Sequence, residues 1–161
     1  MATTLTRELY EGLQRGEFDR WDAAVADDVL VNSPALFGQR GLQALKAWAT
    51  QFVRLGKQID LVDEHLALDA EGTGRGFITF NLHWKHDAPF FDISPTGREG
   101  TSVETLLLTV TGHKVTRIDV ADNSVDLILY LWSRNWPYPH NIEPEPIVAG
   151  VDRRRGAPSG R

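Results

Sequence analysis

The sequence predicts an α+β fold, with helices on one face of a curved antiparallel sheet. Up to about residue 55, apolar residues recur at the three- and four-residue spacing of helices. Beyond that point they alternate with polar residues, as they do in strands. Loops rich in glycine and proline separate the alternating runs. Helices that precede a series of strands favour an arrangement in which the helices pack on an antiparallel meander.

Three helices are predicted in the first part of the chain, over residues 5–15, 17–26 and 41–55. In the first of them leucines recur every four residues, and Gly16 follows as a terminator. In the third, leucine, tryptophan and phenylalanine residues keep helical spacing until Gly56 ends the helix.

Strands are expected over residues 29–32, 59–68, 75–86, 101–111 and 114–122. The first is short and is followed by Ser-Pro, which suits an edge strand or the end of a strand. The last two form a long hairpin, because only a Thr-Gly-His-Lys turn joins them.

Residues 1–132 are expected to form one domain, followed by a proline-rich arm and tail over residues 133–161. A chain of 161 residues fits a single domain. The final segment holds five of the eight prolines, so it cannot form a regular helix or a central strand. Its aromatic residues Trp136 and Tyr138 indicate that it packs on the domain or on a partner subunit.

Composition argues against several classes of function. A net charge of -5 and the lack of an evident basic face argue against a nucleic-acid partner. The chain has no cysteine, so a disulfide, a thiolate nucleophile or a cysteine metal site cannot form. No apolar run approaches a membrane span and no secretion signal is visible, so we expect no membrane partner and a cytoplasmic location. No nucleotide-binding or phosphate-loop motif is present, so no cofactor is expected.

Two carboxyl groups share strand faces with apolar residues. Alternation along the predicted hairpin places Glu104 on the face of Leu106, and Asp122 on the face of Val120. A carboxyl group on an apolar face is costly unless it lines a cavity or has a partner. The pair therefore predicts a pocket whose wall carries groups capable of acid/base chemistry.

One stretch, GFITFNLHWKHDAPFFDISPTGREG at residues 76–100, resembles a segment of the SnoaL-like family of the NTF2-like superfamily. Family members have a strand, Gly-Thr-His, a short loop and Gly-Ile-x-Pro-Thr-Gly-Arg before a long hairpin. Pro-Thr-Gly-Arg at residues 95–98 matches that ending, and counting back without a gap places His86 on the family histidine. The resemblance spans about residues 5–132. It implies an NTF2-like cone, in which a curved sheet wraps around N-terminal helices and encloses a central pocket.

The resemblance also implies roles for three residues. In SnoaL-like polyketide cyclases the residue that matches Asp122 is the general acid/base of an intramolecular aldol closure; alternatively, Asp122 caps the helix that follows it. Glu104 matches the oxyanion-stabilising acid of ketosteroid-isomerase-like relatives, or else is a structural residue satisfied by an arginine or a tryptophan N–H. His86 could polarise a carbonyl or move a proton, although lone histidines are more often structural.

Further residues are expected to bind substrate. Asn32 and Ser33 end the first strand, and parity alone does not decide which of them faces inward. The aromatic residues expected in the core and pocket wall are Trp48, Phe52, Phe80 and Trp84. Trp84 stands where the family usually has glycine, which implies a narrower pocket mouth. A metal site is not expected, because His83 and His86 fall on opposite faces of one strand.

The leading hypothesis is a cofactor-independent cyclase, isomerase or dehydratase that uses carboxylate acid/base chemistry on a small apolar carbonyl metabolite. The polyketide or secondary-metabolite class is implied by the resemblance alone. An isomerase is less favoured, because Ser33 occupies the place of the base aspartate of ketosteroid isomerases. An epoxide hydrolase is an alternative enzyme, although strand parity places Arg117 and Arg98 poorly for it. A non-catalytic module that binds small molecules is the alternative from another class.

A homodimer is expected through the outer face of the sheet. Val103, Leu107 and Thr109 form an apolar to neutral face opposite Glu104. A sheet with two apolar faces needs a second cover. The alternative cover is the proline-rich arm.

Overall fold

The computed structural model of the protein describes residues 4–33, 36–90 and 93–121, with only the backbone for residues 36–39, 56 and 57. Asp122 and the arm of residues 133–161 lie outside the described residues. The acid/base role of Asp122 and the packing of the arm therefore stay predictions.

The described α-helices are α1 (Leu5–Arg15), α2 (Trp21–Ala24) and α3 (Leu42–Leu55). α1 begins after Thr4, whose hydroxyl accepts a hydrogen bond from the Arg7 amide at 3.4 Å. It ends at Gly16, which adopts a left-handed φ of 68°. Glycine suits that position because it has no Cβ to clash with the last turn. The first and third predicted helices are confirmed within one residue.

The second predicted helix, residues 17–26, is shorter in the structure. A 3-10 turn, Phe18–Arg20, and the four-residue α2 replace it, and Val25 already has an extended backbone with φ −116° and ψ 142°. Val25 is fully buried and pairs with Val115 on a neighbouring strand. Because a β-branched residue packs well on a buried strand, this pairing outweighs the helical spacing.

Within the described residues, six strands form one sheet in the order β2-β1-β6-β5-β4-β3. They are β1 (Val25–Ser33), β2 (Leu36–Arg40), β3 (Gly56–Leu68), β4 (Gly74–Lys85), β5 (Glu99–Thr111) and β6 (Lys114–Ala121). β1 runs parallel to β6, and the other neighbouring pairs are antiparallel. The expectation of a wholly antiparallel sheet is therefore wrong for one pair. α3 and the meander β3–β5 lie in the chain between β1 and β6, and a parallel pair requires such a long connection.

The predicted α+β class with a curved sheet is confirmed, and the sheet is not closed, because β2 and β3 form its two edges. Along β5 the buried residues are Ser102, Glu104, Leu106, Leu108 and Val110. We call the sheet face that carries this set the inner face and the opposite one the outer face. Residues of α1 and α3 pack with the inner face in one hydrophobic core that includes Leu9, Phe52 and Leu108.

A two-residue turn, Gly112-His113, joins β5 to β6. Both residues have left-handed φ angles, 56° for Gly112 and 63° for His113. Turns of this kind match the twist of the flanking strands. The predicted hairpin is thus confirmed, and it places Leu106 opposite Val120.

Candidate functional site

A small cavity lies between the inner face of the sheet, α1 and α3. Its volume is about 10 Å³, which is room for about one water molecule. The described residues that line it are Leu13, Trp48, Phe52, Ile59, Phe80, Leu82, Glu104, Leu106 and Val120. Seven of these nine side chains are wholly apolar, and the surface that the wall presents to the cavity is apolar throughout; Glu104 and Trp48 are the wall residues that also carry polar atoms.

Glu104 is held in the cavity wall by its place on β5. It shares the inner face with Leu106 and pairs with Phe80 on β4. Only 4% of the residue is exposed. Because water is largely excluded and the local dielectric is low, a carboxyl group in such a wall interacts strongly with a polar ligand group. The structure therefore places Glu104 where strand alternation predicted it.

Aromatic residues supply much of the cavity wall. The rings of Trp48 and Phe52, one turn apart on α3, have centroids 4.6 Å apart and are tilted by 48°. Phe52 also meets Phe90 edge-on at 5.4 Å. Phe80 lines the cavity from β4. The structure thus brings together Trp48, Phe52 and Phe80, as the sequence predicted.

The indole N–H of Trp48 is buried and has no hydrogen-bond acceptor among the described residues. Trp21 provides the contrast, because its indole N–H donates to the carbonyl oxygen of Leu9 at 3.2 Å. A buried donor that lacks an acceptor costs about 1–3 kcal/mol of stability. Trp48 therefore carries a hydrogen-bond donor that the described fold does not use.

His86 follows β4 and is fully buried, but it is not among the described residues of the cavity wall. Its Nδ1 accepts a hydrogen bond from the Thr96 amide at 3.2 Å, so the neutral ring carries its proton on Nε2. The Thr96 hydroxyl lies 2.9 Å from the same Nδ1. The His86 amide donates to the Arg98 carbonyl at 2.7 Å, and the Gly97 amide donates to the His86 carbonyl at 2.9 Å. Through these hydrogen bonds, His86 holds residues 95–98 against the end of β4.

Burial lowers the pKa of His86 below its ordinary value. This effect outweighs the carbonyl of Ile93 and the charge of Asp87, which act in the opposite direction. The imidazole is therefore neutral near pH 7. These contacts fit the structural alternative for His86, and its catalytic role stays a prediction.

The two residues at the end of β1 point to opposite faces of the sheet. Ser33 is 4% exposed and belongs to the inner set of β1, although it is not a described residue of the cavity wall. The side-chain amide of Asn32 donates to Asp119 Oδ1 at 2.8 Å on the outer face. The side chain of Asn32 thus faces away from the cavity, and substrate binding by Asn32 stays a prediction without support from this geometry.

Trp84 shares the inner face but is not a described residue of the cavity wall. Its ring packs against Gly100 on β5, where a Cβ would lie 2.7 Å from Cζ2 of the indole. The bare backbone of Gly100 therefore leaves room for the ring. The Trp84 ring occupies the space above Gly100 on the inner face of the sheet. Trp84 was expected in the pocket wall, but it is not among the described wall residues.

Several polar pairs lie on the outer face of β4 and β5. His83 Nε2 lies 2.7 Å from Asp60 Oδ2, and His83 Nδ1 lies 3.0 Å from the Thr101 hydroxyl. The hydroxyls of Thr79 and Thr105 are 3.0 Å apart. In the part of the chain that the structure describes, no three histidine, aspartate or glutamate side chains are gathered to hold a metal ion.

Arg117 also belongs to the outer face. Its Nε and Nη2 donate to the two carboxylate oxygens of Asp119, each at 2.8 Å. The hydrogen bonds from Arg117 and Asn32 lower the pKa of Asp119 below its ordinary value, against the effect of burial. No arginine is a described residue of the cavity wall. The described wall therefore lacks the arginine that an epoxide hydrolase would use to activate water.

Five of the wall residues were not predicted from the sequence as site residues. These are Leu13, Ile59, Leu82, Leu106 and Val120. The signal was available for three of them, because Leu13 belongs to the leucine spacing of the first helix, and Leu106 and Val120 share strand faces with the two carboxyl residues.

The family model of the SnoaL-like domain matches residues 6–118. The chain belongs to the SnoaL-like family. The match runs from α1 into β6 and includes every described residue of the cavity wall except Val120. The resemblance inferred from the Pro-Thr-Gly-Arg segment is thus confirmed.

Solved structures share the fold of this SnoaL-like chain. A candidate SnoaL-like polyketide cyclase from Jannaschia sp. CCS1 has 15% identity and a TM-score of 0.61, with 76% of this chain and 83% of the other chain covered. A candidate polyketide cyclase from Pseudomonas putida has 18% identity and a TM-score of 0.61, covering 79% and 97%. AclR from Streptomyces galilaeus, described as a candidate hydroxylase, has 15% identity and a TM-score of 0.60, covering 79% and 81%. At these identities the likeness shows the fold alone.

The sequence of this SnoaL-like chain has no match among curated proteins. Among the helices of the described residues, none has the length and apolar character needed to cross a membrane.

Proposed function

We propose that this SnoaL-like protein is a cofactor-independent enzyme of cyclase, isomerase or dehydratase type, which moves protons on a small apolar metabolite that carries a carbonyl group. Membership of the SnoaL-like family supports a cyclase-like role. The observation that carries the proposal is the position of Glu104, a carboxyl residue that is 4% exposed among the otherwise almost wholly apolar residues that line the cavity.

A carboxyl group can supply the proton transfers that these reactions share. An ionised carboxylate takes a proton from the carbon beside a carbonyl, and a protonated one donates a hydrogen bond to the resulting enolate oxygen. Asp122, outside the described residues, keeps its predicted part in this chemistry. In the proposed mechanism one of the two carboxyl groups takes the proton while the other stabilises the enolate.

The apolar wall defines the kind of substrate. A wall of leucine, isoleucine, valine and phenylalanine side chains favours an apolar molecule and excludes water that would compete for the enolate. The present volume of about 10 Å³ admits little more than water. Bulky side chains such as Trp48 and Phe52 must therefore change rotamer when substrate enters, which favours a small or flat molecule.

Mass spectrometry of metabolites released from the purified protein tests this proposal. A molecule that co-purifies should be incubated with the protein without any added cofactor. Cyclisation or isomerisation leaves the mass unchanged and alters retention time, and dehydration removes one water. Gain of one water would instead show an epoxide hydrolase, and conversion that depends on an added cofactor would contradict the proposal.

A non-catalytic small-molecule-binding module is the second candidate. It is favoured by one observation, namely that Glu104 is the single titratable side chain in the described cavity wall. In that case the co-purified molecule would be recovered unchanged after incubation, and it would bind with a fixed stoichiometry.

A further inference from the structure

The cavity cannot hold an organic molecule in its present shape, so part of its wall must move when a ligand binds. Its volume is about 10 Å³, whereas pockets for small organic ligands typically hold about 300–1,000 Å³. The described wall has three sides, formed by the sheet, by α1 and by α3. The side that moves at the lowest free-energy cost determines where a ligand enters and how large it can be.

Hydrogen bonds to the backbone hold two of these sides in place. The strands β3 to β6 are joined by ladders that pass through the wall, where Phe80 pairs with Glu104. α1 is tied to β3, because the Tyr10 hydroxyl donates to the Ile59 carbonyl and accepts from the Leu61 amide, both at 3.2 Å. Moving the sheet or α1 would therefore break buried hydrogen bonds, and buried polar groups are costly to leave unpaired.

The third side includes Phe52 on α3, and Phe90 packs behind Phe52. The two rings meet edge-on with centroids 5.4 Å apart, and Phe90 is fully buried but is not a described residue of the wall. Among residues 87–90 and 93–98 of the loop between β4 and β5, Phe90 is the only buried one. Its backbone exchanges two hydrogen bonds with Ile93 of the same loop, at 3.1 and 2.9 Å. Moving Phe90 outward therefore breaks none of the ladders of the sheet.

We propose that Phe90 controls entry to the cavity: a ligand binds when Phe52 turns out of the cavity and displaces Phe90 toward solvent. The proposal rests on the proposed function only in taking the cavity as the ligand site, and it uses no polar group of the wall. A flat, apolar ligand fills the space that the Phe52 ring leaves. Displacing Phe90 exposes apolar surface to water, so the closed form dominates when no ligand is bound. The side chain at position 90 thus sets the size of ligand that the cavity accepts.

Contacts between rings test this proposal in the full-length wild-type protein. The probe is N-phenyl-1-naphthylamine, a neutral molecule with flat aromatic rings, whose fluorescence rises in apolar surroundings. The nuclear Overhauser effect between the rings of Phe52 and Phe90 reports the closed form. The same effect between Phe18 and Trp21, whose centroids are 4.8 Å apart, is the matched control. Saturation with the probe should abolish the first effect and keep the second. A Phe52–Phe90 effect that persists in the bound protein would overturn the inference.

Variants of Phe90 test the same proposal through the rate of entry, measured by stopped-flow fluorescence. Phe90→Ala should raise the association rate constant of the probe about 10- to 1,000-fold, because an open form populated at about 0.1–10% limits entry to the wild-type protein. Phe90→Leu should raise it less, and this variant serves where the alanine variant folds poorly. Leu108→Ala is the matched control, since it truncates a buried side chain of the inner face outside the described wall, and it should keep a rate close to that of the wild-type protein.

Each outcome of the rate measurement decides for or against the inference. Equal rates in the wild-type protein and the Phe90 variants, an equal rise in Leu108→Ala, or no binding of the probe by any of these proteins would overturn it. Binding by the Phe90 variants alone would support it, because the probe would then enter only where the large side chain is removed. Turnover is not measured, so failure here leaves the proton-transfer proposal to its own test.

Discussion

The two faces of β4 and β5 hold their polar side chains in opposite ways. On the outer face, His83 contacts Asp60 and Thr101, and Thr79 contacts Thr105, all in partly exposed positions. On the inner face, Glu104 lies in an apolar wall beside α3, where the Trp48 indole has no described acceptor.

The two faces differ in the free-energy cost of their polar groups. Exposed or half-exposed polar pairs stabilise a fold only slightly, because water screens them, and their groups lose little hydration. A carboxyl group or an N–H buried among apolar side chains carries a desolvation cost that an apolar residue would avoid. The proposed function draws on Glu104, a polar residue of the inner face.

The largest expected stability effect contrasts two neighbouring leucines on β5. Leu108 is 2% exposed on the inner face, and Leu107 is 46% exposed on the outer face. Leu108→Ala should lower the free energy of unfolding by about 2–5 kcal/mol, because it leaves a cavity in the core. Leu107→Ala should cost less than about 1 kcal/mol. Urea denaturation of both variants checks the contrast, and equal losses would mean that the outer face is covered as tightly as the inner one.

In the predicted homodimer, a second subunit would pack on the outer face of the sheet. Leu107 and Val62 are the large apolar side chains most exposed among the described residues, at 46% and 56%. If the outer face is the dimer interface, Leu107→Asp should weaken the dimer at least about tenfold, since it buries an unpaired charge. Sedimentation velocity at micromolar concentration measures this, with Thr111→Asp at the far end of β5 as the control. A wild-type protein that sediments only as a monomer would favour the proline-rich arm as the cover.

A smaller effect concerns the pH dependence of stability. The pKa of His86 is lowered in the folded state by burial, so the unfolded chain binds the proton more readily. The contribution of neutral His86 to the free energy of unfolding is therefore complete above about pH 6.5, which is the pKa of histidine in the unfolded chain. Below that pH the free energy of unfolding declines, by at most about 1.4 kcal/mol per pH unit. His86→Asn, which keeps an acceptor for the Thr96 amide, should show a shallower decline. Denaturation curves between about pH 7.5 and 5.5 measure this, and parallel slopes would contradict it.

Local periodicity was sufficient to predict much of the fold. The change from helical to alternating spacing near residue 56 predicted the meander, and alternation placed Glu104 on the inner face. Prediction from local periodicity failed where the pairing of strands that are distant in sequence decides the structure. Val25 leaves the helical pattern to pair with Val115, and the parallel pairing of β1 with β6 has no local signal.

The site was predictable to the same extent. Helical spacing and strand parity sufficed for Trp48, Phe52 and Phe80. Parity could not decide between Asn32 and Ser33, because the register of β1 against β6 shifts between Val25 and Leu30. The unused N–H of Trp48 had no sequence signal at all, because whether a buried donor finds an acceptor depends on the packed structure.

Glu104→Gln tests most directly the claim that the inner carboxyl group serves chemistry. The amide keeps the shape and polarity of the side chain but cannot exchange a proton, so turnover should fall by about 100- to 10,000-fold while the protein stays folded. Glu99→Gln is the matched control, because Glu99 lies on the same strand but is exposed beside Lys85. With the co-purified metabolite as substrate, we expect the Glu99 variant to keep wild-type turnover. A Glu104→Gln protein that is folded and turns over at the wild-type rate would contradict the account.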